Sequence, residues 1–101
     1  MATFQDREKE FEARFKHDEE LRFKVTARRN RLVGLWAAER MGLTGEAAEA
    51  YAKSIVDAEF AGGDPHVVEK LVADLAAKDH TVTTAQVQFE LDHFATRAKQ
   101  Q

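Results

Sequence analysis

Basic side chains cluster in one stretch of the chain. Five of them stand there with no acidic residue between them: Arg22, Lys24, Arg28, Arg29 and Arg31. Guanidinium groups bind phosphate through charge-assisted hydrogen bonds, so Arg28, Arg29 and Arg31 are candidate ligands for the phosphates of ADP or ATP. The alternative is a solvated helix face that pairs with acidic residues near the N-terminus. We expect no nucleic acid partner, because the net charge is −3 and no nucleic-acid-binding motif is present.

Glu90 and His93 have the Glu-x-x-His spacing that di-iron helical bundles use to bind metal. A complete site needs a second such pair and two further inward-facing carboxylates. The residues three positions before the other histidines are Arg14, Gly63 and Ala77, so no second pair exists. We therefore predict no metal site.

Catalytic chemistry is not indicated either. The chain has no cysteine, its one serine is Ser54 in a predicted helix, and it has no Gly-rich phosphate loop. His17 stands beside Asp18 and Glu19 and could act as a pH sensor, since imidazole titrates near neutral pH. The alternative is a surface histidine without function. We predict that the protein is not an enzyme.

Three phenylalanines lie at helical spacing in the charged N-terminal stretch. Phe4, Phe11 and Phe15 are separated by seven and then four residues, which places them on one face of a helix. A helix of this length is marginal by itself in water. We therefore predict that residues 1–17 are a flexible or partly helical arm, ordered by a partner that binds the Phe face. The alternative is that the arm folds back on its own domain.

Residues 18–101 are predicted to form one all-α domain. Asp18 is a candidate N-cap for a helix that ends at Gly42, and Thr44 is one for the next helix. The remaining boundaries are Gly62-Gly63 followed by Asp64-Pro65, and the capping box of Thr83 and Gln86. The predicted helices cover residues 21–41, 45 to about 61, 65 to about 78, and 84 into the polar C-terminus. Short links favour an antiparallel four-helix bundle. The alternative at the N-terminal end is one continuous helix over residues 4–41, because nothing in residues 15–21 forbids it and only the acidic cluster indicates a break.

Each predicted helix has an apolar face for the core. These faces comprise Leu21, Val25, Leu32, Leu35 and Trp36, flanked by Phe23 and Val33; Ala48, Tyr51, Ala52, Ile55 and Phe60; Val68, Leu71, Val72 and Leu75; and Val87, Leu91 and Phe94. No apolar run is long enough to span a bilayer, and no signal peptide is evident. We expect a cytoplasmic monomer that does not insert into a membrane.

The stretch Ala-Arg-Arg-Asn-Arg-Leu-Val-Gly-Leu-Trp-Ala-Ala at residues 27–38 resembles a known family. It is similar to the zeta subunit, the small ATPase-inhibitor protein of bacterial F-type ATP synthases. The similarity extends to residues 4–20, to Ala50-Tyr51-Ala52-Lys53 and to the helix after Asp64, and is weakest from Thr81 to Gln101.

The resemblance implies a four-helix bundle with a mobile N-terminal arm. It implies that the arm enters the catalytic interface of the synthase head, among the alpha, beta and gamma subunits, becomes helical there and blocks ATP hydrolysis. The apolar anchors would be Phe4, Phe11 and Phe15. The polar rim would comprise Arg7, Glu8, Glu12 and Arg14.

Weak binding of adenine nucleotide is also implied for some members of that family, which would suit Arg28, Arg29 and Arg31. Two other functions stay open from the residues alone. One is a free-standing nucleotide sensor that uses these arginines, and the other is a helical adaptor with a different partner. The resemblance places the protein at the cytoplasmic face of the inner membrane, through the synthase.

Overall fold

The computed structural model describes the backbone of residues 4–101 and the side chains of residues 18–101. Over this part, the chain forms three α-helices and no strand: α1 (Phe4–Arg40), α2 (Gly45–Ala77) and α3 (Thr84–Lys99). The all-α prediction is confirmed. The four-helix bundle is not, because the described residues form three helices.

Helix α1 runs without interruption through the acidic cluster where we predicted a helix start. Asp18 therefore lies inside a helix and is not an N-cap, and no separate helix begins near residue 21. The physical reason is that residues 4–33 contain neither glycine nor proline, so nothing breaks the backbone hydrogen bonds. The prediction of a flexible arm concerns residues 1–17. Residues 1–3 and the side chains of residues 4–17 lie outside the described part, so the prediction stays untested.

Helix α2 joins the two helices predicted on either side of Gly62-Gly63. The predicted break is present only as a kink, where Gly63 has non-helical torsion angles of φ 71° and ψ −164°. Glycine adopts a positive φ readily because it has no Cβ, which explains why the kink lies at Gly63. Pro65 follows within α2, directly after the kink. Proline has no backbone N–H, and it is tolerated at the start of a helical segment because an N–H there would have no partner in the helix.

The predicted helix ends are confirmed to different degrees. Thr83 and Gln86 form the predicted capping box: the Thr83 hydroxyl accepts from Gln86 N at 3.1 Å, and the Gln86 side chain accepts from Thr83 N at 2.8 Å. Thr44 is the N-cap residue of α2, but its side chain makes no capping hydrogen bond. α1 ends at Arg40, one residue before the predicted end at Met41.

The core lies between α1 and the other two helices. Val87, Leu91 and Phe94 are buried on α3 as predicted, and Ile55, Leu71 and Leu75 are buried on α2. On α1 the predicted face is only partly correct: Val33, predicted at its flank, is buried, and Leu32 and Trp36 pack against the core. The buried residues there are Asn30, Val33, Gly34, Ala37 and Ala38, whereas Val25, Leu32, Leu35 and Trp36 are only half-buried at the rim.

Three side chains predicted on or beside the core faces are exposed: Leu21, Phe23 and Phe60. Every residue from Asp18 to Lys24 is exposed. Among the described side chains of α1, burial begins with partly covered Val25 and is first complete at Asn30. The domain boundary at residue 18 stays a prediction. In the described residues, no helix is apolar enough over a sufficient length to cross a membrane.

Candidate functional site

Four polar residues meet where α1 crosses the kink of α2. This group, the Arg29 cluster, consists of Arg29, Asn30, Glu59 and Asp64. Two guanidinium nitrogens of Arg29 donate to the Asp64 carboxylate, Nη2 to Oδ1 at 2.6 Å and Nη1 to Oδ2 at 3.2 Å. Nη2 also donates to Glu59 Oε2 at 3.2 Å. The cluster therefore joins α1 to both sides of the kink at Gly63.

Asn30 completes the cluster from a fully buried position. Its side-chain oxygen accepts from Arg29 Nε at 3.1 Å, and its Nδ2 donates to Glu59 Oε2 at 2.9 Å. A buried amide is tolerated only when its polar atoms are paired. Among the described residues, no buried side-chain nitrogen or oxygen lacks a partner, so this polar network is satisfied.

The pKa values of the two carboxylates in the cluster are shifted in opposite directions. The hydrogen bond from Arg29 holds the pKa of Asp64 below its ordinary value. Loss of solvation raises the pKa of Glu59, although the hydrogen bond from Asn30 opposes that rise. Burial favours the neutral acid, whereas a guanidinium partner favours the carboxylate. Asp64 is therefore the main anionic partner of Arg29.

The structure does not bring the three predicted phosphate ligands into one site. The Arg29 side chain is only 12% exposed and is occupied by two carboxylates. Arg31 Nη2 contacts both oxygens of Glu49 on α2 at 3.0 Å. Arg28 Nη1 instead donates to the carbonyl oxygen of Gln101, at the other end of the chain. Nucleotide binding by these arginines stays a prediction, with Arg28 and Arg31 the exposed members.

The predicted inhibitory residues fall in the first turns of α1. Phe4, Arg7, Glu8, Phe11, Glu12, Arg14 and Phe15 are all within the helical backbone. Their side chains, and that of His17, lie outside the described part. A helical backbone at these positions gives the register that the Phe spacing requires.

A groove of about 610 Å³ lies between the C-terminal part of α1 and α3, and sequence reasoning missed it. It is lined by Trp36, Arg40, His80, Phe89 and Glu90, among others. The Arg40 guanidinium carbon stands 4.7 Å from the Trp36 ring centre, within cation–π range. The only signal in the sequence was Phe89, which lies off the apolar face of α3.

The Glu-x-x-His pair of α3 is divided between two environments. Glu90 lines the groove, whereas the ring of His93 packs edge-on against Phe94, with ring centres 5.0 Å apart. Within residues 18–101, where side chains are described, no group of three or more His, Asp and Glu residues could hold a metal ion.

Comparison with known families decides the identity. A family model described as ATPase inhibitor subunit zeta matches residues 1–101, from the first residues of the arm to the end of α3. The chain belongs to the zeta family. A search of curated proteins found no match. The family's name supports the role of an ATPase inhibitor, suggests a regulatory and non-catalytic protein, and implies association with an ATPase or ATP synthase.

The Arg29 cluster contains residues of the sequence motif that resembles the zeta family. The Arg-Arg-Asn-Arg motif that carries the resemblance supplies Arg29 and Asn30, which hold α1 against the kink of α2. In this chain, Arg29 and Asn30 of the motif therefore stabilise the packing of α1 on α2.

Proposed function

We propose that the protein inhibits ATP hydrolysis by the F-type ATP synthase by inserting its N-terminal arm, as a helix, into the catalytic interface of the head. The observation that carries this proposal is the continuity of α1. The helix extends from Phe4 to Arg40, and among its described side chains, from Asp18 on, burial begins only beyond Lys24. Phe4, Phe11 and Phe15 would be the apolar anchors in the groove between the alpha, beta and gamma subunits.

Continuity with the bundle lowers the cost of presenting the arm. Starting a separate helix requires several residues to be ordered for a single hydrogen bond. Residues 4–17 instead extend a helix whose other end is held by the core and by the Arg29 cluster. The binding energy of the three phenylalanines, roughly 5–8 kcal/mol if all are buried, is then available mainly for association.

Polar residues of the arm would fix its orientation in the groove. Arg7, Glu8, Glu12 and Arg14 place two positive and two negative charges among the three phenylalanines in the sequence. Charged groups at the edge of an interface mainly set specificity and association rate. The free protein would be a monomer. When bound, it would lie at the cytoplasmic face of the inner membrane, because the synthase is located there.

The proposal is tested by titrating isolated synthase head with the full-length protein while ATP hydrolysis is measured. Replacing Phe4, Phe11 and Phe15 by alanine should abolish inhibition, with the helical circular dichroism signal largely kept. A matched control replaces the exposed Gln88 of α3 by alanine and should inhibit like the wild type. Full inhibition by the triple alanine variant would refute the proposed function.

A further inference from the structure

A second groove, of about 570 Å³, lies between the C-terminal half of α2 and the start of α3. On the α2 side it is lined by four apolar residues: Pro65, Val68, Val72 and Ala73. Their spacing of three, seven and eight residues from Pro65 places them on one face of the helix. The face extends for about 12 Å, a little over two helical turns. We call this surface the Pro65 groove.

The apolar face of the Pro65 groove is open to solvent. Pro65 and Ala73 are exposed and Val72 is half-buried. α3 does not cover these side chains, because the residues that it contributes to the groove, Thr84 among them, are polar and exposed. A groove that is bordered by two helices and is about two turns long has the dimensions for the apolar face of a third helix.

The charged residues that line the Pro65 groove are both acidic: Asp64 and Glu69. The Asp64 side chain is 48% exposed, although it also accepts from Arg29. Glu69 is exposed and forms no ion pair with any residue whose side chain is described. The neighbouring base, Lys70, is bound to Asp74 at 2.9 Å and does not line the groove. The groove therefore combines an apolar surface with negative charge.

We propose that the Pro65 groove is a docking site for an amphipathic helix of a partner protein that carries lysine or arginine beside its apolar residues. Charge complementarity selects this occupant, because an acidic helix or an anionic membrane surface would be repelled by Asp64 and Glu69. Apolar side chains at i, i+3, i+4 and i+7 of the partner contact Pro65, Val72 and Ala73. The site goes beyond the proposed function, since it does not involve the arm.

A synthetic helical peptide of about fourteen residues is the probe, with leucines at helical spacing on one face and lysines beside them. Titrating it into ¹⁵N-labelled full-length protein should shift the amide signals of residues 64–73 and of the first turn of α3 more than any others. The same peptide with glutamate in place of every lysine should leave these signals unchanged, because its charge has the same sign as that of the groove.

Two substitutions on α2 test the groove, each with a matched control. Ala73→Lys places a long cationic side chain in the groove from an exposed position, so it should weaken binding roughly tenfold while the domain stays folded. Glu69→Gln removes one charged acceptor and should weaken binding about threefold. Ala76→Lys and Glu46→Gln make the same replacements at exposed positions outside the groove and should bind within about twofold of the wild type.

Three results would overturn the proposal. The first is the absence of amide shifts at millimolar peptide. The second is an equal loss of binding in Ala73→Lys and Ala76→Lys, because the contact would then reflect net charge alone. The third is that a second copy of the chain fills the groove, so that the free protein self-associates in sedimentation velocity and Ala73→Lys restores the monomer.

The arm provides the separation from the proposed function. The variant with alanine at Phe4, Phe11 and Phe15 should bind the peptide like the wild type, although it no longer inhibits ATP hydrolysis. Peptide binding that is lost in this variant would contradict the location of the site on α2 and α3. Peptide binding that is kept, in a variant that still inhibits fully, would support the Pro65 groove and refute the proposed function.

Discussion

Among single residues, Asn30 is the one whose burial most constrains the domain. Among the described side chains, Asn30 is the polar one that is fully buried. It forms hydrogen bonds with both Arg29 and Glu59. The sequence places Arg29 and Asn30 in a basic stretch, which indicated a phosphate site. The partners that occupy Arg29 lie 30 and 35 residues further along the chain. No local pattern reveals that pairing, and only the packing of α1 on α2 brings the groups together.

Replacing Asn30 by alanine should destabilise the domain by about 2–3 kcal/mol. The loss removes hydrogen bonds to charged groups and leaves Arg29 and Glu59 partly unpaired in a region of low solvation. Urea unfolding followed by circular dichroism measures the effect. Gln88→Ala is the control, because Gln88 donates to Asp92 on an exposed surface, and its effect should stay within about 0.5 kcal/mol. Equal stability of the two variants would contradict the assigned role of Asn30.

The ion pair of Arg29 and Asp64 should make stability depend on pH. Because the pKa of Asp64 is lowered in the folded state, its stabilising effect is present above the unfolded pKa of about 3.9. That effect is lost as pH falls through the folded pKa. Asp64→Asn should therefore be less stable than the wild type at pH 7, and the difference should shrink below about pH 4.

Urea unfolding from pH 7 down to pH 2.5 would measure this difference. The pKa of Glu59 is raised, so its contribution has the opposite sign: it is present below the unfolded pKa and lost as pH rises through the folded pKa. Asp64 is itself one cause of that rise, so Asp64→Asn should also reduce the Glu59 contribution. In an Arg29→Gln background the Asp64→Asn effect should largely disappear. A difference that is constant across this pH range would show that Asp64 does not act through its charge.

At the scale of the helices, α1 and α2 approach closely at Gly34 and Ala52. A Cβ at position 34 would stand 2.7 Å from the Ala52 Cα, which is closer than atoms pack. Small residues therefore form the interface of α1, and larger ones such as Leu35 and Trp36 lie at its edges. The sequence-based face followed the largest apolar side chains and for this reason missed Gly34, Ala37 and Ala38. Helix ends were predicted better, because glycine, proline and capping residues act locally.

Gly34→Ala should destabilise the domain by about 1–3 kcal/mol, because α1 and α2 must move apart to admit the methyl group. In an isolated helix the same change would stabilise by roughly 1 kcal/mol, so the sign of the effect distinguishes the two contributions. Ala73→Gly, on an exposed face of α2, measures the helix preference alone. Thermal unfolding would report both, and a Gly34→Ala protein more stable than the wild type would disprove the close contact.

At the scale of the whole molecule, α1 is a helix of 37 residues, and its C-terminal part is also one of the helices of the small domain. The division into an arm, residues 1–17, and a domain, residues 18–101, stays a prediction from the thin Phe face and the helix signals after residue 18. The sequence left a continuous helix across that boundary open as an alternative, because charged residues such as Asp18, Glu19 and Glu20 suit a helix start and a helix interior alike. Under the proposed function, this continuity means that the domain would hold the arm in position as well as keep it nearby.

The most direct test of that account is ATP hydrolysis by the synthase head in the presence of the protein lacking residues 1–17. The truncated chain should remain folded, because every buried side chain described lies between Asn30 and Ala98. We predict that it leaves hydrolysis uninhibited at concentrations where the full chain inhibits completely. Inhibition by the folded, truncated chain to the wild-type maximum would contradict the assignment of the block to the arm.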